Sequence, residues 1–313
     1  KLIQKYYTTT SWVILMNNQA AKLKDFMQNN NIKDFDKFNE NKKKQSRIIA
    51  VASGKGGVGK STITVNLALA LRELENDVFL IDSDIGMANI DVLLGLKSKY
   101  DLNHVLKGSC TLKEAVATGP YGLNVLSGIS GLDNVLNISI ENIKHLLTGV
   151  SEIEQDYDVI LLDTGAGASQ SVLNFTTAAD EILIVLTPEP TSIMDSYSLI
   201  KLLRSSNYQG KLHLVVNRID SKKEAKSIID RFINTADKYL DLKIELLGTI
   251  PDDTVISKSI KKQHPVFKLY PESKVNDHFL KIAGNLLGKK LELPSRGIKS
   301  FFYRLIGQIS PGR

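Results

Sequence analysis

One stretch, Gly54-Lys55-Gly56-Gly57-Val58-Gly59-Lys60-Ser61-Thr62, limits the ways this chain can fold more than any other. It follows a short apolar run, Ile48-Ile49-Ala50-Val51-Ala52, and opens a helical pattern from Lys60 to Leu74. Gly54 and Gly59-Lys60-Ser61 have the spacing of a phosphate-binding loop between a strand and a helix. Phosphate oxygens are met in such a loop by successive backbone N–H groups, and only glycine lets the chain turn tightly enough. The following helix adds the positive end of its dipole. Lys60 is expected against the β- and γ-phosphates and the Ser61 hydroxyl on Mg²⁺.

The loop implies a sheet to carry it. Further short apolar runs lie at Val78–Ile81, Leu123–Leu126, Val159–Leu162, Ile182–Leu186, Leu212–Val216 and Ile244–Leu247. Helical patterns lie between and after them, at Ile140–Ile153, Ser192–Arg204, Lys223–Tyr239 and Val275–Leu287. Unbroken apolar strands alternating with amphipathic helices predict an α/β fold, a mostly parallel twisted sheet with helices on both faces. Ligands of such sheets bind beyond the carboxyl ends of the strands. Carboxylates stand at two of those ends: Asp82-Ser83-Asp84 closes the second strand, and Asp163 closes Val159–Leu162. Their mutual repulsion is relieved by a divalent cation.

Composition excludes several classes. No run approaches the roughly 20 apolar residues of a membrane span, and Trp12–Leu15 is too short for a secretory signal core. Cys110 is the one cysteine, so neither an intrachain disulfide nor a multi-thiolate metal site is available, and a reducing compartment is expected. The net charge of +6 draws on local runs, Lys42-Lys43-Lys44 and Lys261-Lys262, whose plainest reading is solvated faces.

Lys55 asks for more than a simple phosphate loop, which needs a single lysine. The stretch resembles the signature of the deviant Walker A ATPases, the MinD/ParA family, over roughly Ile48 to Leu287. The resemblance implies ATP or ADP with Mg²⁺, and an ATP-bound homodimer in which Lys55 reaches the partner's nucleotide. It also implies that Asp84 positions the attacking water, that Asp82 supports the magnesium and its waters, and that Asp163 holds the metal through water. Gly165-Ala166-Gly167 becomes a switch loop sensing the γ-phosphate, and the loops at Asn217-Arg218 and Pro251-Asp252 hold adenine.

Within the family, the absent cysteine clusters exclude the iron–sulfur and zinc-bridged branches. The last 40 residues hold one tyrosine, Tyr303, which excludes the tyrosine kinases. Asp84-Ile85-Gly86-Met87-Ala88-Asn89-Ile90-Asp91 and Thr187-Pro188-Glu189-Pro190-Thr191-Ser192 resemble the flagellar-number regulators of the FlhG (FleN, YlxH) group. So does the arm Asn18-Gln19-Ala20-Ala21-Lys22-Leu23-Lys24, similar to the group's activator motif Asp-Gln-Ala-x-x-Leu-Arg. By that resemblance Gln19, Leu23 and Lys24 act on a GTPase of the signal-recognition-particle class (FlhF-like), and flagellar switch-complex proteins are further partners. Asn18 and Lys24 depart from the motif, and lysine lacks the guanidinium fork.

The expected organisation is a foreign extension over 1–15 with Met16 a candidate start, an activator helix and linker over 16–46, the ATPase domain over 47–292, and a linker with a terminal helix over 293–313. On that helix Ile298, Phe301, Phe302, Leu305, Ile306 and Ile309 form one apolar stripe, suited to an anionic membrane surface. The expectation is a cytoplasmic ATP hydrolase, peripheral to the inner face of the cell membrane when ATP-bound, regulating flagellar number or placement. The alternatives are a division-site ATPase of the MinD type and a DNA-partition ATPase of the ParA type; nucleic acid is not an expected ligand.

Overall fold

The computed structural model describes residues 46–84, 89–128, 149, 153 and 156–289. The expected activator arm with Gln19, Leu23 and Lys24, the terminal stripe from Ile298 to Ile309, and Ile85 to Ala88 lie outside the described residues. So does nearly all of the helix expected over Ile140–Ile153.

Among the described residues, eight strands form one sheet in the order β3-β4-β2-β5-β1-β6-β7-β8. They are β1 (Arg47–Ser53), β2 (Val78–Ser83), β3 (Val116–Thr118), β4 (Asn124–Leu126), β5 (Val159–Ala166), β6 (Glu181–Leu186), β7 (Lys211–Ile219) and β8 (Ile244–Pro251). All neighbours are parallel except β3, which pairs antiparallel with β4. The expected parallel α/β sheet is therefore present, with β3 as an addition.

The helices are α1 (Lys60–Glu73), α2 (Ile90–Leu94), α3 (Leu102–Leu106), α4 (Leu112–Ala115), α5 (Gln170–Ala178), α6 (Pro190–Ser205), α7 (Lys222–Leu240), α8 (Thr254–Lys261), α9 (Val266–Leu269) and α10 (Lys274–Leu286). Strand alternation divides the core between two faces. Ile49, Val51 and Leu161 pack with Leu67 and Leu71 of α1 and Phe279 and Ile282 of α10. Ala52, Ile182 and Ile184 pack with Leu199 and Leu203 of α6 and Phe232 of α7. From Ile63 to Leu71 every residue of α1 is buried, because the helix lies between the sheet and α10. The helix that carries the phosphate loop is thus fixed along its length.

Two features steady the sheet, one at its β8 edge and one across its amino ends. The edge strand β8 is covered by side chains of α10: Asn285 Nδ2 donates to the Leu247 carbonyl and His278 Nδ1 to the Thr249 carbonyl, each at 2.8 Å. Across the amino ends, the Glu181 carboxylate accepts from Arg47 Nε and Nη2 at 2.8 and 2.9 Å and from His213 Nε2 at 2.6 Å. Burial works to raise the Glu181 pKa, but the hydrogen bonds and charges of His213 and Arg47 outweigh it and hold it at about 2. Arg47 Nη2 also donates to the Leu286 carbonyl at 3.0 Å, tying the first residue of β1 to the end of α10.

Candidate nucleotide site

The phosphate loop leaves β1 at the carboxyl edge of the sheet and enters α1 at Gly59. Gly59 has φ 91°, the left-handed region, and a Cβ there would lie 2.5 Å from Asn217 Nδ2. Gly54 is needed for a different reason. Its Cβ would lie 2.1 Å from the Asp195 carbonyl carbon, so the start of the loop rests directly on the α6 backbone. Val58 is buried between these points, and Gly56 and Gly57 are exposed.

Lys60 and Asp163 meet behind the loop. Lys60 Nζ lies 2.8 Å from Asp163 Oδ1, and the two side chains are 7 % and 1 % exposed. Thr64 Oγ1 donates to the same Oδ1 at 2.9 Å. Asp82 stands beside Asp163 in the β2–β5 register, so two carboxylates face one opening. Burial, then the neighbouring Asp163, raise the Asp82 pKa to about 6, against the opposing pull of backbone N–H groups. Those N–H groups belong to Asp84, Asn89 and Ile90, at 3.1, 2.9 and 3.2 Å. The Asp82 carboxylate is therefore engaged in bracing the chain on both sides of residues 85–88, a contact that its expected magnesium role did not include. Asp84 is raised by burial, lowered by Lys60 and raised by Asp163, so it belongs to the same cluster.

The expected switch residues abut these acids. A Cβ on Gly165 would lie 3.4 Å from Asp84 Oδ1. Ala166 is exposed opposite Gly56, and the Gly167 N–H donates to the Ser53 carbonyl at 2.8 Å. Gly165–Gly167 therefore lie against both the phosphate loop and Asp84.

Lys55 lies at the rim. Its Nζ meets Glu189 Oε2 and Thr191 Oγ1 of its own chain, each at 2.8 Å. The hydrogen bond from Lys55, then its charge, hold the Glu189 carboxyl below its ordinary value. Sequence reasoning marked Glu189 and Thr191 as a family resemblance only, without their bond to Lys55.

Asn217, Arg218, Pro251 and Asp252 line one cavity beside the loop, together with Gly59 and Thr62. Ile256 and Ile260 of α8 supply apolar wall that the sequence did not single out. Asn217 is buried, and its Nδ2 donates to the Val58 carbonyl at 2.8 Å, which fastens this cavity to the phosphate cradle.

The donors fit a hard divalent cation. Ser61 Oγ, Asp163 and Asp82 would offer oxygen ligands, the kind that magnesium takes. Ser61 makes no side-chain hydrogen bond among the described residues, so its hydroxyl is free to turn to such an ion.

The chain as a whole resembles known proteins in sequence and in fold. The chain matches the family described as ParA, NUBPL iron-transfer P-loop NTPase, over residues 44–287. This chain belongs to the ParA/MinD family of P-loop NTPases. It is 37% identical over 262 residues to the antiactivator FleN of Pseudomonas aeruginosa, covering 84% of this chain and 94% of the relative. It is 34% identical over 296 residues to the flagellum site-determining protein YlxH of Helicobacter pylori, covering 93% and 99%. Among solved structures, the septum site-determining protein MinD of Pyrococcus horikoshii, complexed with Mg-ADP, superposes with a TM-score of 0.64 at 26% identity, covering 77% of this chain and 96% of that one. The ParA/MinD resemblance read from Lys55 and its loop, and the closeness to flagellar regulators, are both borne out.

Proposed function

We propose that this ParA/MinD-family NTPase is a magnesium-dependent ATP hydrolase, active as an ATP-bound homodimer, that sets flagellar number or placement. The observation that carries the reading is the convergence of Lys60, at the start of α1, with Asp163, Asp82 and Asp84 toward the carboxyl ends of the adjacent strands β5 and β2. Phosphoryl transfer asks a protein mainly for positioning and charge neutralisation, and this cluster supplies both. Lys60 leaves Asp163 for the β- and γ-phosphates. Ser61 and Asp163 would hold magnesium, which would supply charge neutralisation. Asp84 accepts a hydrogen bond from the attacking water, and Asp82 braces the chain around it. Lys55 leaves Glu189 for the phosphates of a partner copy, which makes dimerisation depend on ATP.

The flagellar direction is supported by the similarity to FleN and YlxH. It extends to a GTPase of the signal-recognition-particle class met by Gln19, Leu23 and Lys24, and to flagellar switch-complex proteins. The apolar stripe Ile298, Phe301, Phe302, Leu305, Ile306 and Ile309 gives the dimer two weak anchors for an anionic cytoplasmic membrane face, whose combined avidity exceeds one by roughly 10²–10⁴-fold. Hydrolysis then releases the protein to the cytoplasm.

Light scattering with ATP and with ADP tests the core of the reading. Wild type is expected to dimerise with ATP alone, and Asp84→Ala to bind ATP, hydrolyse it at least about 100-fold more slowly and accumulate as a dimer. Wild type that stays monomeric with ATP would sink the switch. Sedimentation with ATP separates the targets: capture by anionic liposomes supports membrane cycling, and salt-sensitive capture by DNA supports the ParA-type alternative.

A further inference from the structure

Thr64 lies four residues beyond Lys60 on α1, so the two side chains share one face of the helix. The Thr64 hydroxyl is fully buried. Its single proton has two acceptors in reach, Asp163 Oδ1 at 2.9 Å and the Lys60 carbonyl at 3.0 Å. A carboxylate makes the stronger bond of the two, so the proton goes to Asp163. Asp163 Oδ1 therefore has two donors from one helix, Lys60 Nζ at 2.8 Å and Thr64 Oγ1. No hydrogen bond ends on Asp163 Oδ2 among the described residues.

The two donors respond differently to a nucleotide. The Lys60 ammonium sits on a flexible stem and is drawn to polyphosphate charge. The Thr64 hydroxyl, on a short side chain of a buried helix, stays where it is. When Lys60 turns to the phosphates, Thr64 is the donor that remains on Oδ1. We infer that Thr64 is a positioning residue for the magnesium site: its hydroxyl holds Asp163 Oδ1 inward, so that the carboxylate keeps one orientation after Lys60 departs. This rests on the nucleotide and magnesium reading above. Partners that orient a ligating carboxylate are worth about 10–100-fold in metal affinity.

The test is titration of the full chain with a fluorescent ADP analogue, once with Mg²⁺ and once with EDTA, for wild type, Thr64→Ser and Thr64→Val. The ratio of the two affinities reports the magnesium contribution. Thr64→Ser keeps the donor and is expected to keep the ratio. Thr64→Val keeps the shape without the donor and is expected to lower the ratio about tenfold, with affinity in EDTA unchanged. Thr64→Ala serves the same comparison should the valine variant fail to fold. A valine variant with the wild-type ratio would overturn the inference. Equal weakening with and without Mg²⁺ would also overturn it, since that marks a distorted cradle. Wild type that binds no nucleotide at all would bring down the nucleotide reading itself, and the role of Thr64 with it.

Discussion

Lys55 Nζ lies 2.8 Å from Glu189 Oε2, so the lysine expected to serve a second subunit is held by its own chain at the N-cap of α6. Both partners are partly or largely exposed, with side-chain exposures of 37 % and 54 %. Ion pairs of that kind contribute little and weaken with salt. The contact can therefore park Lys55 without opposing its transfer to a partner's phosphates. Lys55→Ala is expected to melt close to wild type, to bind ATP, and to remain a monomer with it. Analytical ultracentrifugation with ATP decides this, and a normal ATP dimer of the variant would show that Lys55 does not bridge subunits.

Lys60 and Asp163 form the opposite kind of pair. Both are buried, and removing one partner leaves the other charge stranded. Such losses run to roughly 3–5 kcal/mol. Lys60→Ala is expected to lose ATP binding and also to unfold at lower denaturant without any nucleotide. Thr64 keeps one hydrogen bond on Asp163 and places the loss toward the lower end. Calorimetry gives the first outcome and urea unfolding the second. Tight ATP binding by the variant would remove Lys60 from the phosphate site, and unchanged apo stability would show that the buried pair is not held in solution.

Glu181 makes stability depend on acid pH. Its carboxyl stands at about 2 in the folded chain against an ordinary 4.5. A lowered folded value contributes stability that is complete above the unfolded value and is lost as pH falls through the folded one. The window is therefore pH 4.5 down to about 2, and the displacement corresponds to about 3 kcal/mol. Glu181→Gln is expected to be less stable than wild type at neutral pH, with the gap narrowing below pH 4.5. Urea unfolding of both proteins across that range measures it. A gap independent of pH would mean that the charge of Glu181 is not what Arg47 and His213 stabilise.

The two levels of the molecule were unequally legible in its sequence. Seven strands could be placed because each is an apolar run too short for a helix and bounded by polar residues. β3 escaped because three residues, Val116–Thr118, carry no readable period. The phosphate loop and the acids at strand ends could be read because their chemistry needs fixed residue types at fixed spacing. Thr64 could not, since a threonine within a helix has no motif and its partner Asp163 lies 99 residues away. The same holds for Arg47 and Glu181, paired across 134 residues by the sheet order alone. Asp82 shows a subtler limit: its position predicted a carboxylate at the site, but its three backbone donors depend on how the chain returns at Asn89 and Ile90.

Base selection is expected to rest on one amide. Asn217 is buried at the end of β7, and its Nδ2 is committed to the Val58 carbonyl at 2.8 Å. That bond settles which way the amide points, since only the nitrogen end can donate. The carbonyl oxygen Oδ1 is then the end left for a ligand in the cavity formed with Arg218, Pro251 and Asp252. An acceptor there suits the 6-amino group of adenine and opposes the 6-oxo group of guanine. A buried polar group that meets the wrong partner discriminates more strongly than a misfit of shape. GTP is therefore expected to displace a fluorescent ATP analogue at least about tenfold less well than ATP does. Asn217→Ala is expected to weaken ATP and to narrow that difference. It also removes the tie to Val58, so a general loss of phosphate binding has to be separated from a loss of base selection. Inorganic triphosphate as competitor separates them, because it contacts the cradle and has no base. If Asn217→Ala weakens triphosphate as much as ATP and leaves the ATP to GTP ratio unchanged, Asn217 shapes the cradle and does not read the base.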